Sequence, residues 1–175
     1  MNYSPILIVT GEPNSIFLEI FFKVIKKNKI LNPIILISSK KLLSLQMKKL
    51  KFKKKIKLLD PLILDKYQLD NRSINLINVE YNPKKAFEKI STKSKIFIEN
   101  SFKLAFMIIK KYKIHKFING PISKKNFLNK KFLGITEYIS KKYKTENTCM
   151  LIYNKNLSVC PITTHLPLKL VTKQI

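Results

Sequence analysis

With 175 residues, 45% of them hydrophobic and 10% aromatic, the chain is long enough to bury one real core and too apolar to be disordered. Its formal net charge of +25 invites a nucleic-acid reading, because neutralising phosphate drives nonspecific binding. Yet Arg72 is the one arginine among 35 basic residues, and arginine is the usual choice for bidentate phosphate and base contacts. Lysines spread along a chain rich in Ile and Asn fit a compositional drift with solvated lysine faces. A basic nucleic-acid-binding protein without catalytic activity therefore stands only as the alternative.

In chain order, Ile6 to Val9 is a continuous aliphatic run between Pro5 and Gly11 and predicts a strand buried on both faces, as in parallel sheets. Thr10-Gly11-Glu12-Pro13-Asn14-Ser15 is a turn. Helical spacing follows from Ile16 to Lys27, with Ile16, Ile20 and Val24 as the stripe and Phe17, Phe21 and Ile25 beside it. Ile34 to Ile37 is the second strand, and Ser38-Ser39 caps a helix from about Lys40 to Leu50. The lysine run from Lys51 to Lys57 is a solvated face, and the segment to Asn71 is a surface connection with one short strand at Ile56 to Leu59. Ile74 to Val79 is a third strand.

Ser94 to Tyr112 is the strongest helix, its stripe formed by Phe97, Ser101, Leu104 and Ile108 and widened by Ala105 and Ile109. Lys116 to Ile118 is a short strand ending in Asn119-Gly120-Pro121, and Ile122 to Asn129 and Thr136 to Lys144 are helical. Thr148 to Tyr153 and Leu157 to Thr163 form a hairpin around Asn154-Lys155-Asn156. A further helix starts at Leu168. The Ile6 to Val9 and Phe117 to Ile118 strands are expected at the centre of the sheet, with the long helix packed on it. Cys149 and Cys160 lie on opposite sides of the hairpin without C-x-x-C spacing, which indicates neither a zinc knuckle nor a disulfide framework. With no signal-peptide pattern and no membrane-length apolar run, a soluble cytoplasmic protein is expected.

His165, in Thr163-Thr164-His165-Leu166-Pro167-Leu168, sits where a strand gives way to a loop. An imidazole there can face a cleft and ligate a divalent metal, but a catalytic site of that type uses about three protein ligands. On these residues alone, a polar side chain satisfied at a strand end is the simpler reading.

Four motifs change that preference: Thr10-Gly11-Glu12-Pro13, Asn119-Gly120-Pro121-Ile122-Ser123-Lys124, Gly134-Ile135-Thr136-Glu137-Tyr138 and Thr163 to Leu168. In their order and separations the chain resembles the N-terminal half of 4-hydroxythreonine-4-phosphate dehydrogenase, from Ile6 to Ile175. The resemblance implies an α/β/α layered sheet like that of isocitrate and isopropylmalate dehydrogenases, with residues 1–175 a partial dehydrogenase domain cut after its first half. It implies NAD-dependent oxidation of a small phosphorylated amino-acid substrate followed by decarboxylation, within pyridoxal phosphate synthesis. It further implies a cleft completed by a homodimer partner and a divalent metal, whether zinc, cobalt or magnesium, held by three histidines. His165 matches the first of these, and the others, with the phosphate ligands and most of the NAD site, are expected beyond Ile175. Thr136 matches a substrate contact, whereas Ile135 stands where the family has a histidine, so a hydrogen bond is lost there. The first turn also departs from the pattern, with Ser15 and Phe17 in place of glycines and no proline before Gly11. A diverged family member that keeps the fold is the second reading. The residues that carry catalysis are not identified by the resemblance.

Overall fold

The computed structural model describes residues 4–128, 132, 134–144, 148–163 and 166–173. Two compact units divide the chain, Met1–Gly134 and Ile135–Ile175.

The first unit is built on a five-stranded sheet whose described strand pairs are all parallel. Its strands are β1 (Ile6–Val9), β2 (Ile34–Ser38), β3 (Ile56–Leu58), β4 (Ile74–Asn78) and β5 (Lys116–Asn119), in the order β3-β4-β2-β1-β5. Parallel strands cannot be joined by tight turns, so each connection must cross a face of the sheet, and the helices that do so cover both faces. This explains why β1 and Ile34 to Ile37 of β2 are unbroken apolar runs, and why the one asparagine inside β4, Asn75, is buried with its amide donating to the Ile34 and Asp70 carbonyls: Leu7, Val9, Leu36, Ile37 and Leu76 have essentially no exposed surface. Each such side chain contributes roughly 1.5–3 kcal/mol on leaving water.

The register assigns the faces. Ile8, Ile34, Leu36, Ile74 and Leu76 pack in one cluster with Leu18, Phe21 and Phe22 of helix α1 (Phe17–Lys27) and Leu42, Leu43 and Met47 of helix α2 (Lys40–Lys49). The opposite face carries Leu7 and its register partner Phe117, and Phe117 meets Phe102 of helix α3 (Lys95–Tyr112) edge-on at 6.2 Å. Helix α2 begins where expected, the Ser39 hydroxyl accepting the Leu42 N–H at 3.3 Å. Helix α3 has the expected length and buries Phe97, Ser101, Ala105 and Ile108 of the expected stripe; Ile98 and Phe102 are fully buried beside them, while Leu104 and Ile109 lie at the margin.

Two expectations are corrected here. Ile16, Ile20 and Val24 are not the buried stripe of the first helix; they are 64%, 48% and 41% exposed, and Leu18, Phe21 and Phe22 face the core instead. Both arcs are apolar, and Phe22 settles the rotation by stacking on Phe52 with ring centroids 4.6 Å apart. The Phe117 to Ile118 strand is not central either. β5 is the end strand of the described sheet; Phe117 is drawn under α3, while Ile118 on the other face stays 47% exposed. β1, in contrast, pairs on both sides as expected.

Asn71 ties the connection after β3 to the sheet. Its side chain donates to the Ile30 and Asn32 carbonyls and accepts from the Ile34 N–H, each at 2.9 Å.

The second unit contains helix α4 (Ile135–Tyr143) and the short helix α5 (Leu168–Val171). The expected hairpin is reduced, among the described residues, to one antiparallel bridge in which Ile152 and Val159 exchange hydrogen bonds of 2.8 and 2.9 Å. Between Lys124 and Leu128, where a helix was expected, the chain makes a single π-helical turn.

The tightest point of the fold lies where the loops after β1 and β5 touch. Gly11 has φ +69°, and a Cβ on Gly120 would stand 2.1 Å from the Thr10 carbonyl oxygen. Neither position admits a side chain without moving backbone. Gly120→Ala is expected to cost about 2 kcal/mol or more in unfolding free energy, against about 1 kcal/mol for loss of the cap in Ser39→Ala. Urea unfolding measures both; equal midpoints for Gly120→Ala and wild type would show that the loops are not pinned together.

Candidate functional site

In the first unit the chain reverses its winding at β1. The connection through α1 places β2 on one side, and α3, on the opposite face, leads into β5 on the other side. Open α/β sheets bind ligands outside the carboxyl ends of their strands at such a switch point, because there the two flanking loops diverge to opposite faces. The residues at this position are Thr10 to Ser15 after β1 and Asn119 to Ser123 after β5, two of the segments singled out in the sequence.

These loops are bound to each other and to the wall behind them. Gly120 N–H donates to the Val9 carbonyl at 2.7 Å and Glu12 N–H to the Pro121 carbonyl at 2.8 Å. Thr10 hydroxyl lies 3.3 Å from that of Ser38, both buried, which links the ends of β1 and β2. Glu12 is 3% exposed, and a carboxyl group that far from water needs hydrogen-bond partners. One oxygen accepts from the Asn14 N–H at 3.2 Å, the other from the Ser94 hydroxyl at 2.8 Å. Ser94 immediately precedes α3, so the carboxylate also meets the positive end of an 18-residue helix. Asn14 accepts from the Glu88 N–H at 3.0 Å, and the fully buried Gln46 amide donates to the Pro13 and Ala86 carbonyls at 2.9 and 3.0 Å. The Glu12, Ser94 and Gln46 framework was not visible in the sequence, since its members are far apart and share no motif; the oddity of a glutamate in a turn between glycine and proline was the one available signal.

The second unit carries the Thr136 site. Thr136 is exposed near the start of α4 and lines a cavity of about 320 Å³ together with Glu137, Ser140, Thr148, Met150 and Pro161. Ser140 and Thr148 hydroxyls approach to 3.4 Å. Glu137 lies in the first turn of α4, where its charge opposes the helix dipole favourably, yet one of its carboxylate oxygens is buried without a hydrogen-bond partner among the described residues. Thr136, Glu137, Ser140 and Thr148 make the wall of the cavity largely polar. Ile135 is half-buried and does not line it.

His165 and Thr164 lie outside the described residues. Among the described residues no group of three or more His, Cys, Asp or Glu side chains could hold a metal ion. Asn119-Gly120 belongs to the first unit and Thr136 to the second.

A layered α/β protein with a loop site at the carboxyl ends of its strands is the class that this architecture defines. The profile of the pyridoxal phosphate biosynthetic protein PdxA family matches residues 29–175, and the chain belongs to that family. Among solved structures it is similar to 4-hydroxythreonine-4-phosphate dehydrogenase from Burkholderia phymatum, with TM-score 0.79 and 19% identity, covering 94% of this chain and 51% of that one. The enzyme of the same name from Klebsiella pneumoniae is similar with TM-score 0.80 and 17% identity over 97% of this chain and 54% of that one. The chain therefore spans about half the length of these structures, and the fold is that of the isocitrate and isopropylmalate dehydrogenases. A comparison with curated proteins finds no match. Among the described residues no helix is long and apolar enough to cross a membrane.

Tyr81 stands behind the first loop, its hydroxyl 3.5 Å from the Asn14 amide. Burial raises its pKa above the ordinary 10.0, the Asn14 contact opposes this, and the Glu88 and Glu12 charges add to the rise. The folded chain thus holds this proton more tightly than the unfolded one. The associated stability is intact below the unfolded value and is lost as pH rises through the folded one. In an ultraviolet titration of the folded chain a component is expected above the ordinary tyrosine range. Tyr81→Phe should remove that late component; its persistence in the variant would assign it elsewhere.

Proposed function

We propose that this chain forms the substrate-holding part of an NAD-dependent 4-hydroxythreonine-4-phosphate dehydrogenase working in pyridoxal phosphate synthesis. The observation that carries the reading is the family match over residues 29–175, which contains both the Thr136 loop and the His165 motif. The similarity in fold to enzymes of that name supports it. Nothing in the fold or the comparisons points to nucleic acid, despite the charge.

In this reading the Thr136 hydroxyl hydrogen-bonds the phosphorylated substrate from the rim of its cavity. Ile135 offers the substrate only an apolar surface where the family pattern has an imidazole. His165 supplies one nitrogen to a divalent metal, zinc, cobalt or magnesium, and this assignment rests on the family motif. A bound metal would polarise the secondary hydroxyl that NAD oxidises and stabilise the charge that develops when the β-keto acid loses carbon dioxide. Glu12 and the two glycines act earlier in the chain of causes: they fix the loops after β1 and β5 and so the shape of the switch-point site. We place the working protein in the cytoplasm as a homodimer, with the cleft completed from the partner.

One imidazole supplies a single ligand where the chemistry needs about three. The isolated 175-residue chain is therefore expected to form no NADH from 4-hydroxythreonine 4-phosphate above background with added zinc, cobalt or magnesium. Ile135→His should not rescue it. Calorimetric titration with the substrate should still detect binding, weakened about fivefold by Thr136→Ala through the loss of about 1 kcal/mol of hydrogen bonding. Robust turnover by this chain would show its catalytic set to be complete, and identical binding by wild type and Thr136→Ala would remove Thr136 from the site.

A further inference from the structure

The whole sequence contains two cysteines, and the fold brings them together. Cys149 and Cys160 stand at the two arms of the hairpin in the second unit with their sulfur atoms 2.9 Å apart. Both are reduced and exposed. The pair is separated by 11 positions and shows no redox motif, so its proximity is a product of the chain path around Ile152 and Val159. We propose that Cys149 and Cys160 form an oxidisable dithiol, converted by a low-molecular-weight disulfide into an intramolecular disulfide that clamps the hairpin.

Three observations support the assignment. A sulfur–sulfur approach of 2.9 Å leaves a movement of under an ångström to a bonded distance of about 2.05 Å, which side-chain rotation can supply. Exposure gives a small disulfide access to either sulfur. The hydrogen bond between the two sulfurs raises the pKa of Cys160, the mark of two thiols close enough to share a proton. One of the two cysteines, as its thiolate, attacks one sulfur of the oxidant, expelling a thiolate and leaving a mixed disulfide. The other cysteine, deprotonated in turn, attacks the protein sulfur of the mixed disulfide and expels the second thiolate. Two protein thiols are oxidised, one small disulfide is reduced to two thiols, and the two protons leave with them.

The consequence is local. Thr148 and Met150 flank Cys149 and Pro161 follows Cys160, and these three residues line the cavity that Thr136 borders. A covalent link there fixes the hairpin side of that cavity, whose arms are otherwise joined, among the described residues, by the single Ile152–Val159 bridge.

The test uses the purified chain in buffers of reduced and oxidised glutathione, quenched with acid and read by intact mass under non-reducing conditions. Wild type should lose two hydrogen atoms in mass and carry no glutathione. Cys149→Ser and Cys160→Ser should each take up one glutathione instead, with circular dichroism unchanged. At a glutathione ratio that leaves the urea-unfolded chain half oxidised, the folded chain should hold roughly tenfold more disulfide than dithiol. Glutathione on both cysteines of the wild type, a disulfide between two chains, or a folded chain no more oxidised than the unfolded one would overturn the proposal.

Discussion

The structure depends on the contact between two loop backbones, at Gly11 and Gly120. In a parallel sheet the strand ends are fixed by pairing, but the loops beyond them are free to diverge unless something joins them. Here the joining is done by main chain, through the Gly120 to Val9 and Glu12 to Pro121 hydrogen bonds. Backbone groups can approach that closely only where Cβ atoms are missing. This is a chain with three glycines in all, and two of them are spent at this point. In a composition so poor in glycine, the two positions where geometry forbids a side chain still carry glycine.

The buried Glu12 shows the same economy in electrostatics. In a chain with 35 basic residues and 10 acidic ones, a carboxylate could easily be met by a lysine. Instead Glu12 is met by a backbone N–H, a serine hydroxyl and the start of α3. Fixed dipoles of this kind hold a charge in place without the side-chain entropy that a lysine would have to give up. Ion pairs such as Lys23 with Glu19 and Arg72 with Asp70 lie on the surface, where each contributes little. The charge of the chain is thus largely a property of its solvated faces, and the interior is organised by backbone and neutral hydrogen bonds.

How much of this could be read from the sequence depends on how local the cause was. β1 and β2 were legible because burial on both faces leaves a continuous apolar run, β4 because Ile74, Leu76 and Ile77 keep it mostly apolar around Asn75, and the start of α2 because Ser39 caps it within three residues. The inward face of α1 was not legible: Ile16, Ile20 and Val24 repeat as well as Leu18, Phe21 and Phe22 do, and the choice was made by Phe52, some thirty residues on. The edge position of β5 was hidden for a similar reason, since strand order is decided by crossovers and leaves no trace in four residues. At the candidate sites, Thr136 was singled out through its motif, and it lines a cavity in the second unit. The cysteine pair was not legible, because 2.9 Å between residues without a known spacing is a fact about the chain path alone.

The sheet order also says something about how the molecule comes to exist. β1 finds β2 through a short crossover, soon after both have been made. Its other neighbour, β5, begins at Lys116, so the first strand must wait with one side unpaired while most of the unit is synthesised. Long-range pairing of this kind is entropically slow and forms late. The Gly11–Gly120 contact is therefore a closing step in assembly: until β5 arrives, the loop after β1 has its tether to Ser38 but lacks the backbone partners that set its final shape. Anything that delays β5, from a pause in translation to an unfavourable substitution within Lys116–Asn119, leaves an apolar strand edge open to other chains during that interval.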